Sequence, residues 1–256
     1  MRLYCGITFR SSPVFVSFQY FLSPSLGTVR QATAGEIETA VHLAKMLRSA
    51  RTVTAKNQAL INQPSTGDKG LTGDVVMQAA MQIFRQRSAG CTPSSDTDLL
   101  ETRLLKALTA AIREVVDEHQ STINKPGIGF KGFVPAVFGR LVNERFKTKI
   151  GRHAEMKVTA PMSLVRNRKA QPDQWERDKI RNMLMSKDWP KGRLFSEAAT
   201  KSGRKAFRVL VPEYFGAGCL SCHGGPKGEI DITGYPKEGA EEGGLAGAIS
   251  IALYRP

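Results

Sequence analysis

The sequence predicts an α+β protein: a helical first half, then a small antiparallel sheet with helices to one side. Three observations carry this. Apolar residues recur at helical spacing through much of residues 35–150. After Gly151 the pattern changes to short strand-like runs separated by turn residues. The 256 residues are 41% hydrophobic, enough for a sizeable core.

Ile37, Val41, Ala44, Leu47, Leu60 and Ile61 predict a long amphipathic helix from Gly35 to about Asn62. Pro64, Ser65 and Gly67 mark a turn. A second helix is expected over Gly73–Arg87, with Val76, Ala79, Ala80 and Ile83 along one side. After a Ser-rich loop, a third runs from about Asp98 to Ile123, its apolar face including Leu104, Leu108, Ile112 and Val115. His119, near its end, reads as a C-terminal cap or surface residue. A fourth helix opens around Phe133–Phe138, with Pro135 in the first turn, where proline is tolerated. Lys157–Ala160 predicts a strand, and Pro172 or Asp173 caps a helix containing Trp175. Leu194–Ala198 and Ala206–Val211 form a hairpin around Lys201-Ser202-Gly203-Arg204. Gly224–Gly244 is expected to be irregular, and Leu245–Leu253 closes the chain as a strand whose Gly247 admits close approach of a backbone or a flat ligand. No internal repeat is present.

The chemistry concentrates in Cys219-Leu220-Ser221-Cys222-His223. Cys-x-x-Cys-His is the pattern of c-type haem attachment, expected by chance in about one such chain per thousand. Each thiol adds across one haem vinyl group, and the adjoining imidazole reaches the iron from the same side. Cys219 and Cys222 are therefore read as covalent anchors of one haem c, and His223 as an axial iron ligand. A zinc site needs about four ligands, and no second Cys-x-x-Cys or His-x₃-His occurs. A redox dithiol would sit at a helix start, for which Gly224-Gly225-Pro226 is poor sequence. A disulfide between Cys219 and Cys222 would close a small strained loop.

Lys and Arg total 37 against 23 acids, a net charge of +14. The bases, among them Arg48, Arg51, Lys131 and Arg140, are scattered, with no aromatic-interleaved stripe or helix-turn-helix spacing, so nucleic acid is not the expected partner. They read as a solvated basic surface, or as a docking face for an acidic redox or signalling protein or for the periphery of a membrane. Cys5 and Cys91 form no disulfide framework. Arg2 and Arg10, the apolar patch Val14–Leu22 and Ala32-Thr33-Ala34 resemble a secretory leader, placing a boundary at residue 34 and leaving 35–256 as the haem domain, divided into 35–150 and 151–256. Export, to the periplasm with cleavage or with the leader kept as an anchor, suits thioether formation outside the bacterial inner membrane.

Several stretches, in order, carry a resemblance: Asp68-Lys69-Gly70, Phe133–Gly139, Arg166-Asn167, Pro172-Asp173, Trp175-Glu176, Phe207-Arg208, Cys219–Gly224, Asp231–Tyr235, Glu238-Gly239 and Gly247–Ser250. Together they resemble single-haem c-type proteins with a PAS-like fold, found alone in bacteria or ahead of sensor histidine kinases. The resemblance implies a five-stranded antiparallel sheet, a haem held against it and helices packed outside. Arg168-Lys169-Ala170-Gln171 departs from the family's pattern, which puts that loop's shape in question.

The second axial position is open. In part of that family a helical-region cysteine fills it; here Cys91 is the candidate thiol, and Met156 and Met162 are candidate thioethers. A thiolate would favour a low potential, methionine a higher one, and a vacant position would admit small gases. His153 and His42 read as surface or helix-face residues. Arg166, Arg208 and Lys227 are candidates to meet haem carboxylates, and Trp175 reads as a core aromatic. The expected function is redox or ligand sensing, or one-electron transfer, more than catalysis. The alternative, a haem peroxidase or small-gas reductase with an open distal site, needs a distal polar pair that sequence does not place.

Overall fold

The computed structural model describes residues 33–88 and 99–255; Cys5, Cys91 and the leader other than Thr33 and Ala34 lie outside them. The helical half comprises α1 (Ala34–Lys56), α2 (Gln58–Ile61), α3 (Gly73–Arg87), α4 (Leu99–Glu118), α5 (Gln120–Ile123) and α6 (Pro135–Ile150). The helix expected over 35–62 is divided at Asn57, and the one over 98–123 at His119. Local chemistry sets the ends. Thr33 and Glu36 form a capping box at the start of α1, and Thr72 caps α3 by accepting from Val75 N–H. Pro135 stands in the first turn of α6, where its missing N–H costs nothing.

The second half supplies β1 (Ala154–Thr159), α7 (Gln174–Lys179), β2 (Phe195–Lys201), β3 (Arg204–Tyr214), α8 (Leu220–His223) and β4 (Leu245–Tyr254). Among the described residues the strands form one antiparallel sheet in the order β1-β4-β3-β2. Where the resemblance implies five strands, the described residues form four. The β2–β3 turn is Ser202-Gly203, both at positive φ (51° and 75°), the geometry whose twist matches a two-residue hairpin. At Gly247 a Cβ would collide with Thr159 O across the β1–β4 pairing, so the glycine accommodates a neighbouring backbone, one of its two expected uses.

Residue alternation sorts the sheet's two faces. Phe207, Val209, Ile249, Ile251, Leu253 and Met156 join Leu43, Leu47, Leu104, Leu108, Phe138 and Phe146 in the main core between sheet and helices. On the opposite face Leu210 and Ala248 pack with Ile180, Leu184, Trp175, Trp189 and Phe195. Asp173 caps α7 with a capping box to Glu176, and a π turn at Ile180–Leu184 carries the chain on across this face. Gly151 ends α6, so the composition change marks the boundary between layers that share one core.

Candidate functional site

β3 delivers the chain to Phe215, whose N–H donates to Gly244 O while Gly243 N–H donates to Phe215 O. A 3₁₀ turn at Ala217–Cys219 then runs into α8, which ends at Gly224. A Cβ on Gly224 would stand 2.6 Å from Leu220 O, so this tight exit needs glycine. The Cys-x-x-Cys-His run is thus a helical turn. Cys219, Cys222 and His223 stand at i, i+3 and i+4, which brings all three to one side of it. Both thiols are free, Cys219 exposed and Cys222 partly so.

The loop expected to be irregular is pinned from within. Ala240 N–H donates to His223 O (2.7 Å), Gly239 N–H to Gly224 O (3.1 Å), and Ile230 and Pro236 form a bridge. Asp231 Oδ1 accepts from Thr233 N–H (2.7 Å), Thr233 Oγ1 (2.6 Å) and Tyr235 N–H (3.2 Å). These bonds turn a Gly-rich segment into a frame for the turn.

At the centre, His223 Nδ1 lies 2.8 Å from Glu238 Oε2, and the imidazole packs 5.3 Å from the Phe215 ring. Arg166 grips Glu238 with two bonds, Nε to Oε1 (2.7 Å) and Nη2 to Oε2 (2.9 Å). It also donates to Asp231 Oδ2 (2.5 Å) and Cys222 O (2.9 Å), and lies over the Tyr235 ring at 5.5 Å. One guanidinium therefore ties the turn to Asp231 and Glu238 of the loop. Burial works against the Glu238 charge, but hydrogen bonds from Arg166 and His223 outweigh it and hold the carboxyl below its ordinary range. Asp231 is lowered likewise, burial being overcome by Thr233 and Arg166. An ionised Glu238 only accepts, so His223 Nδ1 is the donor, and in the neutral ring Nε2 carries the lone pair. A carboxylate on the far ring nitrogen is the usual way an imidazole is oriented for a metal and made more basic.

The donor set fits a porphyrin iron: two thiols and an oriented imidazole on one turn. Among the described residues no cluster of three or more His, Cys, Asp and Glu side chains could hold a bare metal ion. Met156 is 6% exposed in the main core, on the face packed by helices. Met162 is 49% exposed in the segment before Arg166. His153 is partly buried before β1. His42 is buried in α1 with Nδ1 2.6 Å from Glu101, away from the turn. Cys91, the candidate thiolate, lies outside the described residues.

Arg166 and Arg208, candidates to meet haem carboxylates, are both held by protein carboxylates. Arg208, 1% exposed, is 2.6 Å from Asp173 and 3.4 Å from Glu176, with its guanidinium 4.1 Å from the Trp175 ring. Trp175 packs in the cluster on the outer face of the sheet and donates to Glu197. Lys227 remains exposed. Glu238 and Asp231 lie in stretches that carry the family resemblance, and that position is the signal the sequence offers for them. The basic residues are less solvated than their scatter suggests, since Arg48, Arg51, Arg166 and Arg208 all sit in ion pairs.

A family model described as Tll0287-like matches residues 29–253, nearly the whole chain. The chain belongs to the Tll0287-like family. That family is associated with haem binding and a PAS-like sensor fold, in keeping with the α+β architecture and the oriented histidine. No curated protein and no solved structure matches the chain. No helix among the described residues is long and apolar enough to cross a membrane.

Proposed function

We propose that this Tll0287-like protein carries one haem c, bonded through thioethers to Cys219 and Cys222, with His223 Nε2 on the iron. The observation that carries this reading is the Glu238–His223 bond, which occupies Nδ1 and leaves Nε2 to an iron, on a turn bearing both thiols. The haem supplies one-electron chemistry. The protein's residues orient the imidazole, raise its basicity through Glu238, and hold Glu238 in charge through Arg166. Ile230 and Ile232, 63% and 65% exposed on the same loop, offer apolar surface that a macrocycle or a partner would cover.

The function proposed is redox sensing, with the haem's oxidation state read by a protein partner; one-electron transfer uses the same site. A net charge of +14 favours a partner with an acidic face. Thioether formation on such a motif supports export of the mature protein across the inner membrane. The test is denaturing electrophoresis of protein matured in a cytochrome-competent host. Haem stain stays with the native chain and is lost from Cys219→Ser/Cys222→Ser. A native chain that loses its haem on denaturation would overturn the covalent reading.

A further inference from the structure

A second cluster lies where α1, α3 and α6 meet the end of β3. Arg48 donates from Nε to Glu213 Oε1 (2.6 Å) and from Nη2 to Pro212 O (3.1 Å). Arg51 donates from Nη1 to Glu213 Oε2 (2.6 Å). Arg87, at the end of α3, reaches across α1 to Ser49 Oγ (3.4 Å) and Thr52 Oγ1 (3.2 Å). Three guanidiniums gather around one carboxylate. Burial opposes the Glu213 charge, but Arg51 and Arg48 outweigh it and keep the group ionised. Arg87 is lowered by burial and then by Arg48, with Glu213 compensating only in part. The cluster keeps an excess of positive charge after Glu213 has been counted.

It also contains unused hydrogen-bonding groups. Arg51 Nε and both amide atoms of Asn143 are buried without a partner, and Asn143 is only 6% exposed. Helix geometry puts them together. Gln58 Nε2, just past the end of α1, donates to Phe133 O just before α6, and Arg51 Cδ stands 3.0 Å from where a Gly139 Cβ would lie. The two helices therefore run antiparallel, with Gly139 making room for Arg51. Asn143 is one turn along the same face of α6, and a helical side chain leans toward the preceding turn, here that of Gly139 and Arg51. Buried amides and guanidiniums are ordinarily satisfied, and oxygen atoms of an anion match the N–H groups of Arg51 and Asn143.

We propose that this junction is an anion site that binds a carboxylate or a small oxyanion through Arg48, Arg51, Arg87 and Asn143. Its place suggests two sources of the same chemistry. Glu213 is two residues before Phe215, whose ring packs on His223, so the propionates of the proposed haem are one source. A free oxyanion from solution is the other. Only the first rests on the haem reading.

The experiment uses the haem-loaded protein and the variants Arg87→Gln, at an exposed position, and Asn143→Leu, with Arg181→Gln, 69% exposed, as a control. Inorganic phosphate is titrated calorimetrically, and reduction potentials are measured. If a free oxyanion is the ligand, phosphate binds one-to-one and both site variants weaken it at least tenfold. If haem propionates fill the site, phosphate does not bind the native protein, but both variants shift the potential, Asn143→Leu included although it changes no charge. Absence of saturable phosphate binding together with an unmoved potential in Asn143→Leu overturns the proposal, as does Arg181→Gln matching the site variants. Failure of the haem reading appears separately, as absence of covalent haem, and the phosphate titration then decides alone.

Discussion

Glu238→Gln tests how His223 is held. Glu238 receives bonds from His223 Nδ1 (2.8 Å), Arg166 Nε (2.7 Å) and Arg166 Nη2 (2.9 Å), and its side chain is 16% exposed. Glutamine keeps the shape but offers one carbonyl oxygen and turns an NH₂ group toward donors. A charge-assisted bond contributes roughly 1.5–3 kcal/mol. Arg166 keeps Asp231 and Cys222 O, so its charge is not abandoned. The net loss should be about 2 kcal/mol, well short of the ~3–5 kcal/mol for stripping one partner from an isolated buried pair. Urea unfolding of the haem-loaded protein measures this as a lower midpoint at unchanged slope. The potential should move too. A neutral amide pulls less on the Nδ1 proton, so the imidazole donates less density, ferric iron is less stabilised and the potential rises. Glu238→Asp, which keeps the charge, should lie between. Unchanged stability and potential in Glu238→Gln would refute the argument that this carboxylate orients and tunes the histidine.

Arg208→Met should destabilise by about 3 kcal/mol in thermal or urea unfolding, because it leaves Asp173 and Glu176 with only Lys157 and Lys201; a loss under 1 kcal/mol would show the ion pairs to be dispensable. Gly247→Ala forces Thr159 away from β4 and should cost about 3 kcal/mol, with faster amide exchange along β1 as its local sign. Asp173 is lowered to about 2: burial opposes the charge, and Arg208 and the Glu176 N–H prevail. Its folded value is depressed, so its contribution is fully present above the unfolded value near 3.8 and is lost as pH falls toward about 2. With its 36% exposure discounted, the loss is on the order of 1 kcal/mol, measured as the drop in unfolding free energy across that window relative to Asp173→Asn.

What the sequence disclosed was mostly local. The Gly73–Arg87 helix, the Asp173 cap and the Ser202-Gly203 turn each depend on residues within four positions of one another. The helix breaks at Asn57 and His119 were hidden because apolar spacing continues through both. The strand count was carried over from the resemblance, and the fourth strand's neighbours follow only from tertiary pairing. Within the site, the thiols and the histidine were legible as a motif. Glu238 and Asp231 were not, because a Gly-rich loop has no period to show which carboxylate turns inward. Arg166 is 57 residues before His223, and its chemistry alone suits a haem carboxylate as well as a protein one. Arg48 and Arg51 looked like two of many surface bases until β3 placed Glu213 between them.

The position of His223 follows from the order in which these contacts depend on one another. α8 is four residues long and cannot hold a ring by its own helical bonds. The loop after it closes through Ala240 and Gly239 on the carbonyls of His223 and Gly224, fixing the backbone on both sides of the exit. That alone leaves the imidazole free to rotate about its side-chain bonds. Glu238 fixes the ring, and Glu238 is fixed by the paired bonds of Arg166, a residue from the segment after β1. Arg166 is in turn held by Asp231, whose other oxygen is occupied by Thr233 and Tyr235. His223 is thus braced through two separate parts of the chain. A displacement of either one reaches the ring through a bond of known partner and length. In the proposed redox sensing, a change in charge at the ring would alter the pull on Glu238 and Arg166, and with them the segment that follows β1.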